Sequence, residues 1–166
     1  AFYSAHPSTD PVTGETFNIG IGGPKGTLEL SRFSADGTLL KTVEFMPPVQ
    51  AMWHDNALTE EYMVAVASPY VAKLTTFLAA MAGWGNVGDA FEWDPVVGAK
   101  AFFFSRETLE LVQTVDLPGA PSIYHFVNAY QEGGKGGKAV VTVAKHMDGN
   151  RDKVEAAFRD LYSGRY

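Results

Sequence analysis

The chain has 166 residues, 46% of them hydrophobic and 19% charged, which suits one folded domain and argues against disorder. Its formal net charge is -6, from 13 Lys+Arg against 19 Asp+Glu with no basic run, so nucleic acid and anionic membrane are poor candidates for the main partner and a small neutral or apolar ligand fits better. There is no cysteine, which excludes disulfides, thiolate metal sites, iron–sulfur clusters and cysteine nucleophiles and leaves His, Asp and Glu to hold any metal.

The opening residues, AFYSAHP, carry no charged leader and no initiator Met, so no targeting segment is visible and the natural N-terminus is expected upstream. Strands are read over 2–5, 16–21, 27–33 and 39–45, separated by the turn sequences DPVTGE at 10–15 and SADG at 34–37, where Gly, Pro and Asp supply the backbone angles of a reversal. Leu28 and Leu30 alternate with polar residues, as in a half-buried antiparallel strand. A strand over 62–67 is followed by a helix over 70–81, with Val71, Leu74, Phe77, Leu78 and Met81 on one face. That helix carries Lys73 and falls short of the roughly 20 apolar residues needed to span a bilayer. DPVVG at 94–98 reads as another hairpin connection. Strands over 101–104, 109–115, 123–130 and 139–144 follow, the second alternating at Leu109, Leu111 and Gln113, with QEGGKGG at 131–137 between the last two. A second helix over 150–161 places Val154, Ala157, Phe158 and Leu161 on one face.

The chain is therefore an all-β meander interrupted by helices, and periodicity alone leaves a sandwich, a barrel or a propeller open. Histidine spacing favours the last. His6 and His54 are 48 residues apart, near the period of about 40–50 expected of one propeller blade. His54 and His125 are 71 apart, one more such period if the helical stretch over 69–90 is an insertion of roughly 20 residues. Equivalent positions on the inner strands of radially arranged blades face one axis, so three imidazoles can converge there. Two or three blades do not close a ring of about four to eight, and residues 1–166 are expected to be part of a larger single-domain propeller whose remainder is missing from this chain.

A lone histidine is more often solvated than a ligand, but two of these have telling surroundings. His54, in VQAMWHDNALTEEYMV, is the start of a polar pair between apolar strands, and His125, in SIYHFVNAY, is polar within an apolar and aromatic strand. An imidazole buried there requires a metal or a hydrogen-bond partner. His6 stands where Pro7 fixes the exit from a strand, whereas His146, beside Lys145 and Asp148, reads as a surface residue.

The segments AHPSTDPVTGETFNIG, HDNALTEEYMV, FEWDP and HFVNAYQEG resemble, in order and at plausible separations, the successive iron-ligand motifs of the carotenoid cleavage oxygenases, a family that includes retinoid isomerases and stilbene-cleaving dioxygenases. The resemblance runs over about 2–143. It implies a seven-bladed β-propeller with helical cap insertions and a non-haem ferrous iron, Fe(2+), held by four histidines, of which His6, His54 and His125 match the first three and nothing here matches the fourth. The implied activity is oxidative cleavage of a conjugated C=C bond of a carotenoid, apocarotenoid or stilbene by O2 into two carbonyl products. Trp53, Tyr124 and Phe126 flank the ligands and are candidates to line an apolar substrate tunnel, with plain core packing as the alternative. Many relatives continue the third motif as Asn-Ala-Tyr-Glu, whereas Gln131 precedes Glu132 here, so neither is read as catalytic. The helix within 70–82 resembles cap insertions through which some relatives meet membranes, with packing of its apolar face on the propeller as the alternative. The compartment stays open, cytoplasm or plastid being favoured over secretion. Two other classes stay open as well: a propeller that binds carotenoid without cleaving it, and a zinc hydrolase, since imidazole suits zinc too.

Overall fold

The computed structural model describes residues 2–22, 26–48, 51–86 and 90–147. The helix read over 150–161 lies outside them, as does the side chain of His146. The described residues form three antiparallel sheets in chain order. The first comprises β1 (Phe2–Tyr3), β2 (Ser8–Thr9), β3 (Thr16–Ile21), β4 (Leu28–Phe33) and β5 (Leu39–Phe45); β1 and β2 both pair with β3, and β4 and β5 follow outward. The second comprises β6 (Ala51–Met52), β7 (Asn56–Leu58), β8 (Tyr62–Ala72), β9 (Phe91–Trp93), β10 (Ala99–Ser105) and β11 (Leu111–Leu117), with the helix α1 (Leu74–Met81) between β8 and β9. The third is the hairpin of β12 (Ser122–Glu132) and β13 (Lys138–Met147).

The turn after β2 shows how local sequence sets the first reversal. Asp10 accepts the Val12 N–H at 2.8 Å through its side chain and the Gly14 N–H at 2.8 Å through its carbonyl. Gly14 adopts φ +72°, and a Cβ there would come within 2.9 Å of the Ala35 Cβ, so both conformation and space call for glycine.

The core follows from the period of two along each strand. Phe17, Ile19 and Leu30 of the first sheet bury against Met63, Ala65, Ala67, Phe102 and Phe104 of the second. The opposite face of that sheet, through Val66 and Ala101, packs on Ile123 and the partly buried Phe126 and Val143 of the third. The middle sheet is thus covered on both faces, which is why β8 is buried from Met63 to Tyr70 without alternation. Ser68 ties the second interface, accepting the Ile123 N–H at 3.0 Å and donating to the Ile123 carbonyl at 2.7 Å. The outer strands β5 and β11 are largely exposed, while β2, β7 and β12 lie side by side as the inner strands.

Four sequence expectations are corrected. Residues 70–72 belong to β8 and not to the helix, because Tyr70, Val71 and Ala72 pair with Trp93, Glu92 and Phe91, a long-range partner that helical spacing cannot reveal. The face read as apolar on α1 is largely exposed, with Leu74, Leu78 and Met81 at 68%, 58% and 66% and Phe77 half-buried. DPVVG is not a hairpin, since β9 and β10 both run antiparallel to β8 and the segment is an outward loop within one line of strand. Finally, Leu109 precedes β11; it closes the turn at φ +58° with its side chain fully buried, and Leu111 is exposed.

The first two sheets are also joined by a polar clasp. Arg106, in the turn between β10 and β11, donates to the Asp10 carboxylate and to the Thr59 carbonyl at 2.9 Å, with its guanidinium 5.0 Å from the centroid of the Phe17 ring. Chiefly through the hydrogen bond from Arg106, and then that from the Val12 N–H, the Asp10 carboxyl is held down to about 2 from 3.8. A depressed carboxyl contributes stability that is fully present above its unfolded value and is lost as pH falls through its folded one. Thermal melts of the intact protein should therefore drop as pH falls from 3.8 toward about 2, with a shallower acid limb in Asp10→Asn. Arg106→Ala, which leaves Asp10 without its cation, should cost on the order of 3 kcal/mol at neutral pH.

Candidate metal centre

Each of the three sequence-predicted histidines stands where the inner strand of its sheet is interrupted. Along β3, Tyr3 lies opposite Gly20 and Ser8 opposite Phe17, so residues 4–7 face only residues 18 and 19. Along β8, Met52 lies opposite Ser68 and Asn56 opposite Ala65, so residues 53–55 face only residues 66 and 67. In β12 the register with β13 shifts between Ile123 and His125 and again between Phe126 and Asn128. A bulge of this kind bends the strand and re-aims a side chain that regular pleating would hold to one of two faces.

The re-aimed rings converge. One ring nitrogen from each of His6, His54 and His125 can be chosen so that all three lie within 4.8 Å of one another. The Nε2 atoms of His6 and His54 are 3.1 Å apart, and the three ring centroids are separated by 4.7, 4.9 and 5.1 Å. Two nitrogens each about 2.1 Å from one ion and at right angles would be about 3 Å apart, so the donor set fits a divalent transition metal. The same separation serves an N–H···N bond between the rings in the absence of an ion. Burial, then the neighbouring His6 and His125 rings, lower the pKa of His54 against an opposing pull from Asp55. At neutral pH the His54 ring is therefore uncharged, with a lone pair available to a metal.

The breaks in the inner strands leave backbone groups that side chains satisfy. Ser4 donates through Oγ to the His54 carbonyl and accepts the His6 N–H at 3.1 Å. Asn56 donates through Nδ2 to the His6 carbonyl at 2.8 Å, and Asp55 accepts the Phe126 N–H at 2.9 Å. Sequence alone marks Asp55 only as half of a polar pair and gives no role to Ser4 or Asn56; the signal is small polar side chains beside each histidine, which hairpin turns share. Of the aromatic candidates, Trp53 packs on Phe102 at 5.1 Å, at the edge of the main core. Tyr124 sets its ring against His54 at 5.4 Å and Tyr70 at 6.2 Å. Phe126 borders a groove of about 550 Å³ along the inner strands, shared with His6, Asp55, Asn56 and Asn128.

Gln131 and Glu132 separate sharply. Gln131 is 4% exposed and knits the end of β12 to the turn before β8, accepting from Thr59 Oγ1 at 3.1 Å and the Glu61 N–H at 2.8 Å and donating to Glu61 Oε2 at 2.7 Å. Glu132 is exposed. The bond from Gln131, followed by that from the Gly136 N–H, lowers the pKa of Glu61.

A family model described as retinal pigment epithelial membrane protein matches residues 1–163. A chromoplastic zeaxanthin 7,8(7',8')-cleavage dioxygenase of Crocus sativus is 32% identical over 148 residues, 87% of this chain and 37% of the relative. A lignostilbene-alpha,beta-dioxygenase isozyme III of Sphingomonas paucimobilis is 30% identical over 136 residues, 80% of this chain and 27% of the relative. Among solved structures, a cobalt-substituted Synechocystis ACO superposes with TM-score 0.71 at 21% identity, covering 90% of this chain and 32% of that one. A Pseudomonas brassicacearum lignostilbene dioxygenase superposes with TM-score 0.63 at 28% identity, covering 78% and 26%. The fold is that of part of a β-propeller, and the chain spans between 17% and 37% of the length of the curated relatives it matches.

The Gln131 network makes a direct prediction. Gln131→Glu would set a second carboxylate against that of Glu61 where the amide now donates, and should lower the denaturant midpoint of the intact protein, with partial recovery on acidification.

Proposed function

Because this chain belongs to the family of the retinal pigment epithelial membrane protein and the carotenoid cleavage dioxygenases, we propose that it is part of a non-haem Fe(2+) dioxygenase in which His6, His54 and His125 hold the iron. The observation that carries this reading is the convergence of three imidazole nitrogens, from three successive sheets, within 4.8 Å. Residues 1–166 are read as two to three blades of a larger single-domain propeller, and the relatives' names point to a carotenoid, apocarotenoid or stilbene as the substrate class.

Ferrous iron, when bound, supplies the chemistry that lets the two atoms of O2 end on the two carbons of a cleaved conjugated double bond, giving two carbonyl products. The chain's own residues prepare for this. His54, kept neutral by burial and by its two neighbours, offers a donor that protons do not contest at neutral pH. The Tyr124 ring set edge-on against His54 limits the rotation of that imidazole. Phe126 gives the groove an apolar contact for a substrate that has no charge to grip. Trp53 serves better as packing behind His54 than as tunnel wall, since its ring lies against the core.

The exposed residues Leu74, Leu78 and Met81 of α1, with Trp84 beyond it at 82% exposed, support peripheral contact with a lipid surface from which an apolar substrate is drawn. Among the described residues, no helix is long and apolar enough to cross a membrane. Relatives named chloroplastic and chromoplastic favour a plastid-type compartment.

Two experiments test these readings. Replacing His6, His54 or His125 with Ala in the intact protein should lower bound iron at least tenfold and abolish aldehyde formation from β-carotene, an apocarotenal or resveratrol under O2; a variant that keeps both shows that its histidine is not a ligand. Leu74→Ser with Leu78→Ser should weaken partitioning onto liposomes about tenfold or more, and unchanged partitioning removes the membrane role.

A further inference from the structure

We propose that Asp55 and Asn56 are positioning residues that set the mutual placement of the three histidines. The inference rests on the reading of His6, His54 and His125 as metal ligands. The two residues directly follow His54 on the interrupted inner strand of the middle sheet, and each reaches a different neighbouring sheet. Asp55 accepts the Asn56 N–H at 2.7 Å through Oδ1 and the Phe126 N–H at 2.9 Å through Oδ2. Asn56, 2% exposed, donates through Nδ2 to the carbonyl of His6 at 2.8 Å, while its own carbonyl accepts from Ser8 Oγ at 2.7 Å. The dipeptide after one histidine thus grips the backbone of a second and the residue following the third.

The grip falls where the sheets themselves hold least. Register shifts flank His125 and Phe126 on both sides, so pairing with β13 does not by itself fix how far β12 projects toward His54. His6 lies in the stretch 4–7, between the pairs that β1 and β2 make with β3. Without Asp55 and Asn56, the histidines would be placed by their own sheets, by packing between sheets and by the Ser4 bond to the His54 carbonyl, with no such bond reaching the third sheet at His125, and ligand sites lose strength when a donor is loose by a fraction of an ångström.

The chemistry of each side chain is specific. Position 55 needs two acceptors for two N–H groups, which a carboxylate offers and an amide does not. Position 56 needs a donor for a carbonyl, and a carboxylate there would face the His6 oxygen unfavourably.

The test uses the intact protein stripped of metal and titrated with Co(II), reading affinity and visible absorption alongside circular dichroism and thermal melts. Asp55→Asn and Asn56→Asp should fold with the parent circular dichroism, bind Co(II) about 10–100-fold more weakly, and shift the cobalt absorption bands. Asp55→Ser, which keeps one acceptor oxygen and is smaller, serves if Asp55→Asn does not fold. A folded Asp55 variant with lowered melting temperature but unchanged cobalt affinity and bands overturns the proposal and leaves Asp55 a structural cross-link. His54→Ala is the control: if it has lost cobalt while the Asp55 variants have not, only the positioning role falls; if it binds cobalt as the parent does, the ligand reading falls and this inference with it.

Discussion

A regular β-strand can aim a side chain in only two directions, and neither direction lets three sheets point at one spot from their inner edges. The whole site depends on relaxing that constraint locally. In each sheet the innermost strand is broken for a few residues at its histidine, by four residues set against two in the first, three against two in the second, and a pair of register shifts in the third. Breaking a ladder strands N–H and C=O groups, and a buried group left without a partner is costly. Ser4, Asp55 and Asn56 satisfy those groups across the sheet boundaries, so the repair of each break is also a bond between sheets.

The rest of the packing keeps those breaks in register. The middle sheet buries Met63, Ala65, Phe102 and Phe104 on one side and Val66 and Ala101 on the other, and so fixes its separation from both neighbours. At the opposite end of the inner strands, the turn through Thr59 and Glu61 receives Arg106 from the second sheet's outer hairpin and Gln131 from the third sheet. Apolar faces set the distance between sheets, and directional polar bonds at both ends of the inner strands set their angle. Non-directional burial alone would tolerate sliding that would pull the three imidazoles apart.

Long outer and middle strands were legible in the sequence because their apolar alternation and turn residues are strong local signals: residues 16–21 and 39–45 were read with the bounds that β3 and β5 have. The short strands β2, β7 and β9 were not, since two or three residues carry no period, and the partner of β9 lies about twenty residues away on β8. The same non-local pairing claimed residues 70–72 for β8 and left α1 shorter than its periodicity implied. The histidines were found by spacing and by the motifs around them. What the sequence could not disclose was the breaks in the strands that bring them together, nor that Asp55, read as half of a polar pair, takes hold of a residue 71 positions onward.

The excursion carrying α1 leaves the second sheet through a closed neck. Ala72 pairs with Phe91, the Lys73 N–H meets the Ala90 carbonyl at 2.7 Å, and Lys73 forms an ion pair with Glu92 at 2.5 Å. A change in the length or composition of the segment between 73 and 90 therefore meets a paired base on both sides, and the strands that carry the histidines need not alter to accommodate it.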